Sequence, residues 1–316
     1  MPKNRFVEVN GLSLHITEQG SGPLVILLHG FPDSGYTWRH QLGPIADAGY
    51  HVVAPDQRGA GKSRGPEAVD QYSIFHLAGD VVGLIHALGE EEAVIVGHDW
   101  GAVVAWHTAL LRPDVIRGVA ALSVLPPRRT SEPPMTVSEK KFGPGFYQNY
   151  FQKPGVAEAE FERDVEKTMR VFFADRSPEV PLESLVPVVA PGEGLLDALN
   201  AMPGLPSWLS EEDLAVMVAT FEETGFTSFL NWYRNLDRNW EQLAAWHDAK
   251  ITPPSFFVTA TRDLIPAAAG PGFIERLPEV LSDLRGVLNL EGGGHWMQLE
   301  RPAEVRDALL GFLAEL

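Results

Sequence analysis

The chain has 316 residues, enough for one large α/β domain or for a core carrying an inserted second unit, and its 45% hydrophobic and 9% aromatic content is that of a globular protein. A net charge of −17 disfavours nucleic acid and anionic membrane as partners, and the absence of cysteine excludes disulfides, thiolate catalysis and cysteine-ligated metal sites. The N-terminal MPKNRFVEVNGLSLHITEQG lacks the apolar core of a signal peptide, and no apolar run is long enough to span a bilayer. A cytoplasmic protein without membrane insertion is the expectation.

Residues Arg5 to Val9 and Leu12 to Thr17 flank Asn10-Gly11, a strong hairpin signal. Leu24 to Leu28 is a continuous apolar run, as for a strand buried on both faces, and it ends in His29-Gly30-Phe31-Pro32. Val52 to Ala54 predicts another strand, followed by the turn-rich Pro55-Asp56-Gln57-Arg58-Gly59. Ser73 to Leu88 has helical spacing and stops at Gly89. Ala93 to Val96 predicts a buried strand, with a helix to about Leu111 and a strand around Val119 to Val124. Alternating strands and helices predict a mostly parallel central sheet flanked by helices.

From about residue 127 to 246 the strand signal nearly vanishes. Pro154-Gly155 precedes a predicted helix with Phe161, Val165, Met169 and Phe172 on one face. The Pro- and Gly-rich Ser177 to Ser207 is longer than a typical connection and reads as a functional flap or mobile loop. Ser210 is placed to cap a helix with acidic residues in its first turn. The α/β rhythm resumes at Ser255 to Ala260 and Val287 to Leu290 and closes with an amphipathic helix from Pro302 to about Leu313. The expected organisation is a core over 1–126, an inserted helical cap over 127–246, and a second core part over 247–316. His76, His86 and His107 lie within predicted helices and read as structural.

Between strand and helix, Gly97-His98-Asp99-Trp100-Gly101 has the spacing of a nucleophile elbow. Its central residue is aspartate. A serine there needs a base before it can attack, whereas a carboxylate with a reference pKa of about 4 is already ionised at neutral pH. It forms an ester with the carbon it attacks, and the helix starting at the elbow offers it N–H groups and a positive dipole end. After the strand SFFVTA comes Thr261-Arg262-Asp263, and after the last strand comes a glycine run leading into His295-Trp296. A carboxylate and an imidazole placed after later strands complete the order nucleophile, acid, histidine.

The chain resembles an epoxide hydrolase of the α/β-hydrolase fold, close to the catalytic domain of the soluble type. The pieces that carry the likeness are HGFPDSGYTWRHQ, DQRGAGKS, VGHDWGA, YQNYFQKPGVAEAE, NWYRNLDRNW and GHWMQLERP. They run from near the start to the last helix. GAGKS is no phosphate loop, because Asp56 stands where the first glycine belongs.

The resemblance implies roles at the matching positions. Asp99 would be the nucleophile, His295 the base and Asp263 the acid that orients it. The backbone N–H groups of Phe31 and Trp100 would form the oxyanion hole, and the Phe31–Pro32 peptide would be cis. Tyr147 and Tyr233 would hold and protonate the epoxide oxygen, with Tyr150 ranked below Tyr147. Phe31, Trp100 and Trp296 would line the pocket. The partner implied is a small-molecule epoxide; no metal or organic cofactor is required, and a homodimer is compatible. A haloalkane dehalogenase shares the aspartate elbow, and a non-catalytic ligand receptor shares the fold. The paired tyrosines and HGFP argue for the epoxide.

Overall fold

The computed structural model describes residues 1–175, 181, 182, 186–199, 202 and 204–316. The chain divides into two compact units, one of residues 1–65, 74–128 and 248–316, the other of 66–73 and 129–247.

The first unit is built on an eight-stranded sheet. Its strands are β1 (Lys3–Val9), β2 (Leu12–Gln19), β3 (Leu24–Leu28), β4 (His51–Pro55), β5 (Ala93–His98), β6 (Ile116–Leu122), β7 (Ser255–Ala260) and β8 (Leu284–Leu290). They lie in the order β1-β2-β4-β3-β5-β6-β7-β8, antiparallel at the β1–β2 and β2–β4 pairs and parallel elsewhere. Asn10, at φ 52, and Gly11, at φ 78, make the hairpin turn between β1 and β2, as the Asn-Gly pair requires. The central strands β3 and β5 are buried at every residue, which is why they read as unbroken apolar runs.

Helices Ile74–Ala87, Trp100–Leu111 and Pro302–Ala314 fall where their periodicity places them. A helix over Arg39–Asp47 had no such signal, because Gly43-Pro44 lies within it and reads as a breaker. Trp38, Leu42 and Ile45 are buried in the core with Val25, Val52, Val94 and Phe312, and this burial outweighs the local preference.

The second unit is helical. The helix expected across Phe161 and Phe172 is in fact two, Val156–Phe161 and Val165–Phe173. Asp164 ends the break by accepting a hydrogen bond from the Lys167 N–H, so a cap overrides a continuous apolar stripe. Ser210 caps Glu211–Thr224 through the Asp213 N–H, as expected. Rings of Phe151, Phe161, Phe221, Phe226 and Phe229 form the interior, and Phe221 stacks on Phe226 at 4.7 Å. Residues 66–73 join this unit, with Tyr72 Oη 3.0 Å from Ser228 Oγ and Val69 O accepting from Asn235 Nδ2 at 2.6 Å. The stretch Ser177 to Ser207 lies partly outside the described residues. Within it, Val188 bridges to Phe146 and Leu195–Ala198 forms one helical turn. No helix among the described residues is long and apolar enough to cross a membrane.

Arg58 and Asp80 pair inside the first unit through Nε and Nη2, both at 2.7 Å, and both side chains are buried. Removing one member strands the other's charge away from water. Arg58→Ala should therefore lower the unfolding free energy by about 3–5 kcal/mol, as read from urea denaturation midpoints.

Candidate active site

β5 ends at His98 and the following helix begins at Trp100, so the whole turn falls on Asp99. Its backbone sits at φ 53, ψ −120, a conformation that costs a non-glycine residue about 1–3 kcal/mol. The flanking glycines are needed for clearance. A Cβ on Gly97 would lie 2.1 Å from the Gly101 carbonyl oxygen, and one on Gly101 would lie 2.1 Å from that of Leu28. Gly30 is constrained in the same way, since a Cβ there would meet Asp99 Oδ1 at 2.4 Å.

The residues picked from sequence at the ends of three strands converge. Asp99 Oδ1 accepts from the Phe31 N–H at 2.9 Å, and the Trp100 N–H also binds this carboxylate. The Phe31–Pro32 peptide is cis. His295 Nε2 lies 3.9 Å from Asp99 Oδ2, and its Nδ1 lies 3.1 Å from Asp263 Oδ1. Asp263 also caps Leu264–Ala268, its Oδ1 accepting from the Ile265 N–H at 3.0 Å. One carboxylate thus serves as helix cap and as orienter of the histidine. The Trp296 ring packs edge-on against His295, with centroids 5.0 Å apart.

The carboxylates and histidines at and beside this turn are driven in different directions. Burial raises Asp99 above the ordinary carboxylate range, against the pull of His295 and the two amides. Asp263 ends up lowered: burial opposes its charge, but attraction to His295 and hydrogen bonds from His295, Ser123 and the Ile265 N–H prevail. Burial also disfavours a charged His295, yet Asp263, then Asp99 and Glu300, push it up to about 9. His98 has no carboxylate in direct contact, and burial takes it down to about 3. His107, expected to be structural, donates from Nδ1 to the Val103 carbonyl at 2.7 Å, and burial lowers it to about 4.

Several contributors had no signal in the sequence. Ser123, at φ 75 just past β6, puts its Oγ 3.2 Å from His295 Nδ1. Gln57 gives its N–H to His29 Nε2 at 3.0 Å, joining the DQRGAGKS loop to the Phe31 loop. A lone serine or glutamine carries no periodicity, and only the sheet order brings these loops together.

In the second unit the Tyr147 and Tyr233 rings meet edge to face at 6.0 Å. Gln148 Nε2 donates to Tyr147 Oη at 3.1 Å. Tyr150 instead gives its hydroxyl to Glu160 at 2.8 Å, and burial with this neighbouring carboxylate raises its pKa further. No group of three or more His, Cys, Asp or Glu side chains suited to a metal ion occurs among the described residues.

The model of the alpha/beta hydrolase fold family matches residues 23–302, which defines the class. Epoxide hydrolase A of Mycobacterium tuberculosis is 46% identical over 319 residues, covering 100% of this chain and 98% of that protein. Epoxide hydrolase 2 of Siraitia grosvenorii is 37% identical over 316 residues, covering 97% and 96%. The crystal structure of epoxide hydrolase A from Mycobacterium thermoresistibile superposes with a TM-score of 0.94 at 44% identity, covering 99% of this chain and 98% of that one. The chain belongs to the epoxide hydrolase family of this fold.

A histidine raised by carboxylates contributes stability while it stays charged. For His295 that contribution is complete below the unfolded value of about 6.5 and is lost as pH rises through about 9. An NMR titration of the His295 ring should give a midpoint near the upper value. Asp263→Asn should lower that midpoint and shift the alkaline loss of stability to lower pH.

Proposed function

We infer that the chain hydrolyses epoxides to vicinal diols through a covalent ester on Asp99. The observation that carries this reading is the split environment of the Asp99 carboxylate. Oδ1 is held by the Phe31 N–H, while Oδ2 is turned towards His295 Nε2 at 3.9 Å. Oδ2 attacks an epoxide carbon, the carbon–oxygen bond of the ring opens, and the leaving oxygen takes a proton from Tyr147 or Tyr233. A phenol with a reference pKa of about 10 is protonated at neutral pH and is a far better donor than water.

Alkylation removes the negative charge of Asp99, one of the charges that hold the proton on His295. The imidazole then becomes a base at lower pH than in the free enzyme. Oriented by Asp263, it takes a proton from water, which attacks Cγ of the ester. The developing oxyanion forms on Oδ1, which already faces the Phe31 amide, with the Trp100 amide as the second donor to the carboxylate, a stabilisation typically of about 3–4 kcal/mol per donor. The ester bond to Oδ2 breaks as its oxygen takes the proton from His295, the remaining proton of the attacking water restores the tyrosinate through solvent, and the diol leaves with one oxygen from Asp99. No step calls for a metal or organic cofactor.

Trp100, Trp296 and Phe31 are assigned to the substrate pocket because each adjoins a reacting group. The domain reading keeps the segment around 127–246 as a cap inserted in the core, with the two tyrosines as its contribution to the chemistry. The partner is a small-molecule epoxide. Net charge −17 supports the exclusion of nucleic acid and fits a cytoplasmic location. Homodimerisation is decided by a sizing measurement coupled to light scattering.

The test is a single turnover of excess enzyme with styrene oxide in water enriched in heavy oxygen. The first diol should carry little solvent oxygen and later turnovers should carry it fully; full label in the first turnover would exclude the ester. His295→Gln should accumulate protein heavier by one epoxide, while Tyr233→Phe should slow the alkylation that precedes it, both read by rapid-quench mass spectrometry.

A further inference from the structure

We propose that Glu300 is a positioning residue for the ester-hydrolysing step: its carboxylate grips the backbone on both sides of His295 and so sets where the imidazole reaches. The proposal rests on the ester mechanism above. Glu300 Oε2 accepts from the Gly294 N–H at 2.7 Å, and Oε1 accepts from the Trp296 N–H at 2.9 Å. The two oxygens of one side chain thus hold the amides immediately before and after the histidine. Between them, the His295 carbonyl accepts from His98 Nε2 at 2.8 Å.

His98 is itself fixed from behind. Its Nδ1 accepts from Gln298 Nε2 at 3.1 Å, and the same amide nitrogen donates to Thr37 Oγ1 at 2.9 Å. Gln41 Nε2 donates to the Gln298 carbonyl at 2.9 Å. The neutral state of His98 suits this duty, since Nε2 must keep its proton while Nδ1 accepts.

A helix cap alone would not require this arrangement. The contact with the Trp296 amide lies at the N-cap position of the turn Met297–Glu300, whereas the second oxygen reaches back past His295 to Gly294, outside the turn. A Cβ at position 294 would lie 2.8 Å from Glu300 Oε1, so the carboxylate would have to shift to admit one. The glycine run after β8 therefore lets a carboxylate close on the loop, in addition to letting the loop bend. Glu300 also acts through charge. The groups facing the imidazole are Asp263, Asp99, His98 and Glu300, and Glu300 is one of the three carboxylates that favour its protonated form.

The asymmetry of the two half-reactions makes the idea testable. Attack by Asp99 on the epoxide does not use His295, whereas hydrolysis of the ester does. Glu300→Ala and Glu300→Gln should form the ester at a rate within about twofold of the parent. They should hydrolyse it on the order of tenfold to a hundredfold more slowly, the penalty expected when a reacting group is misplaced by up to about 1 Å.

The pH midpoint for ester hydrolysis should fall in both, since a negative charge near the imidazole is lost. Gly294→Ala, which crowds the same carboxylate, should reproduce the slow hydrolysis and serves if the Glu300 variants fail to fold. Rapid-quench mass spectrometry with styrene oxide reads both steps, and His295→Gln is run beside them. Unchanged ester hydrolysis in the Glu300 variants, with ester trapped in His295→Gln, would overturn the role of Glu300 alone. An equal fall in both half-reactions with reduced thermal stability would also overturn it, leaving Glu300 a structural cap. No trapped ester in His295→Gln would overturn the mechanism and this inference together.

Discussion

The close approach of three backbone segments around Asp99 is the constraint on which the rest of the site depends. Gly97 and Gly101 touch each other's backbone, Gly101 touches that of Leu28, and Gly30 leaves room for the Asp99 carboxylate itself. The one side chain in the turn sits at φ 53, a strain that persists because β3 and β6 pair with β5 on its two sides. The result is a carboxylate raised above the strand ends, with two amides already directed at it. Parallel strands bring their C-terminal ends to one edge of the sheet, and so Asp263 and His295 arrive beside it from β7 and β8.

The same two residue types take opposite characters within this small volume. His295 is ringed by Asp263, Asp99 and Glu300 and is pushed up to about 9, whereas the fully buried His98 falls to about 3. The difference lies in the partners. His295 faces carboxylates, whereas for His98 complete burial and the nearby His295 charge outweigh the carbonyl it donates to, and the Gln298 amide donates to an Nδ1 that must be unprotonated. Asp99 and Asp263 separate by the same logic, the first held chiefly by its burial and the second dominated by the imidazolium and its hydrogen-bond donors.

The second unit orders its tyrosines by a different means. Arg234, adjacent to Tyr233, is buried and pairs with Glu158 at 2.7 Å while its Nε donates to the Phe151 carbonyl at 3.0 Å. Gln152 Nε2 donates to the Tyr233 carbonyl at 3.1 Å, and the Phe151 ring packs edge to face on Tyr233 at 4.9 Å. The short helix that carries Tyr147 and the helix that carries Tyr233 are therefore joined by backbone contacts from charged and amide side chains. Such a frame fixes ring positions more tightly than apolar packing alone, because hydrogen bonds are directional.

Much of this was legible in the residues themselves. Continuous apolar runs at Leu24–Leu28 and Ala93–Val96 marked central strands, and Gly-x-Asp-x-Gly marked the turn between β5 and its helix. The order nucleophile, acid, histidine after successive strands, together with the resemblance, pointed to Asp263 and His295. Local sequence misled where a cap or the core overrode periodicity, as at Asp164 and at Pro44 within Arg39–Asp47. It was silent on Ser123, His98 and Glu300 as neighbours of the triad, and on Gln57 as the link to the Phe31 loop, since nothing in a single side chain's identity says which distant loop it will meet. Sequence by itself determined which residue types were on hand for the chemistry and on which strand ends they stand. Tertiary structure alone decided how their charges and hydrogen bonds combine, because those depend on distances of a few ångströms between segments far apart in the chain.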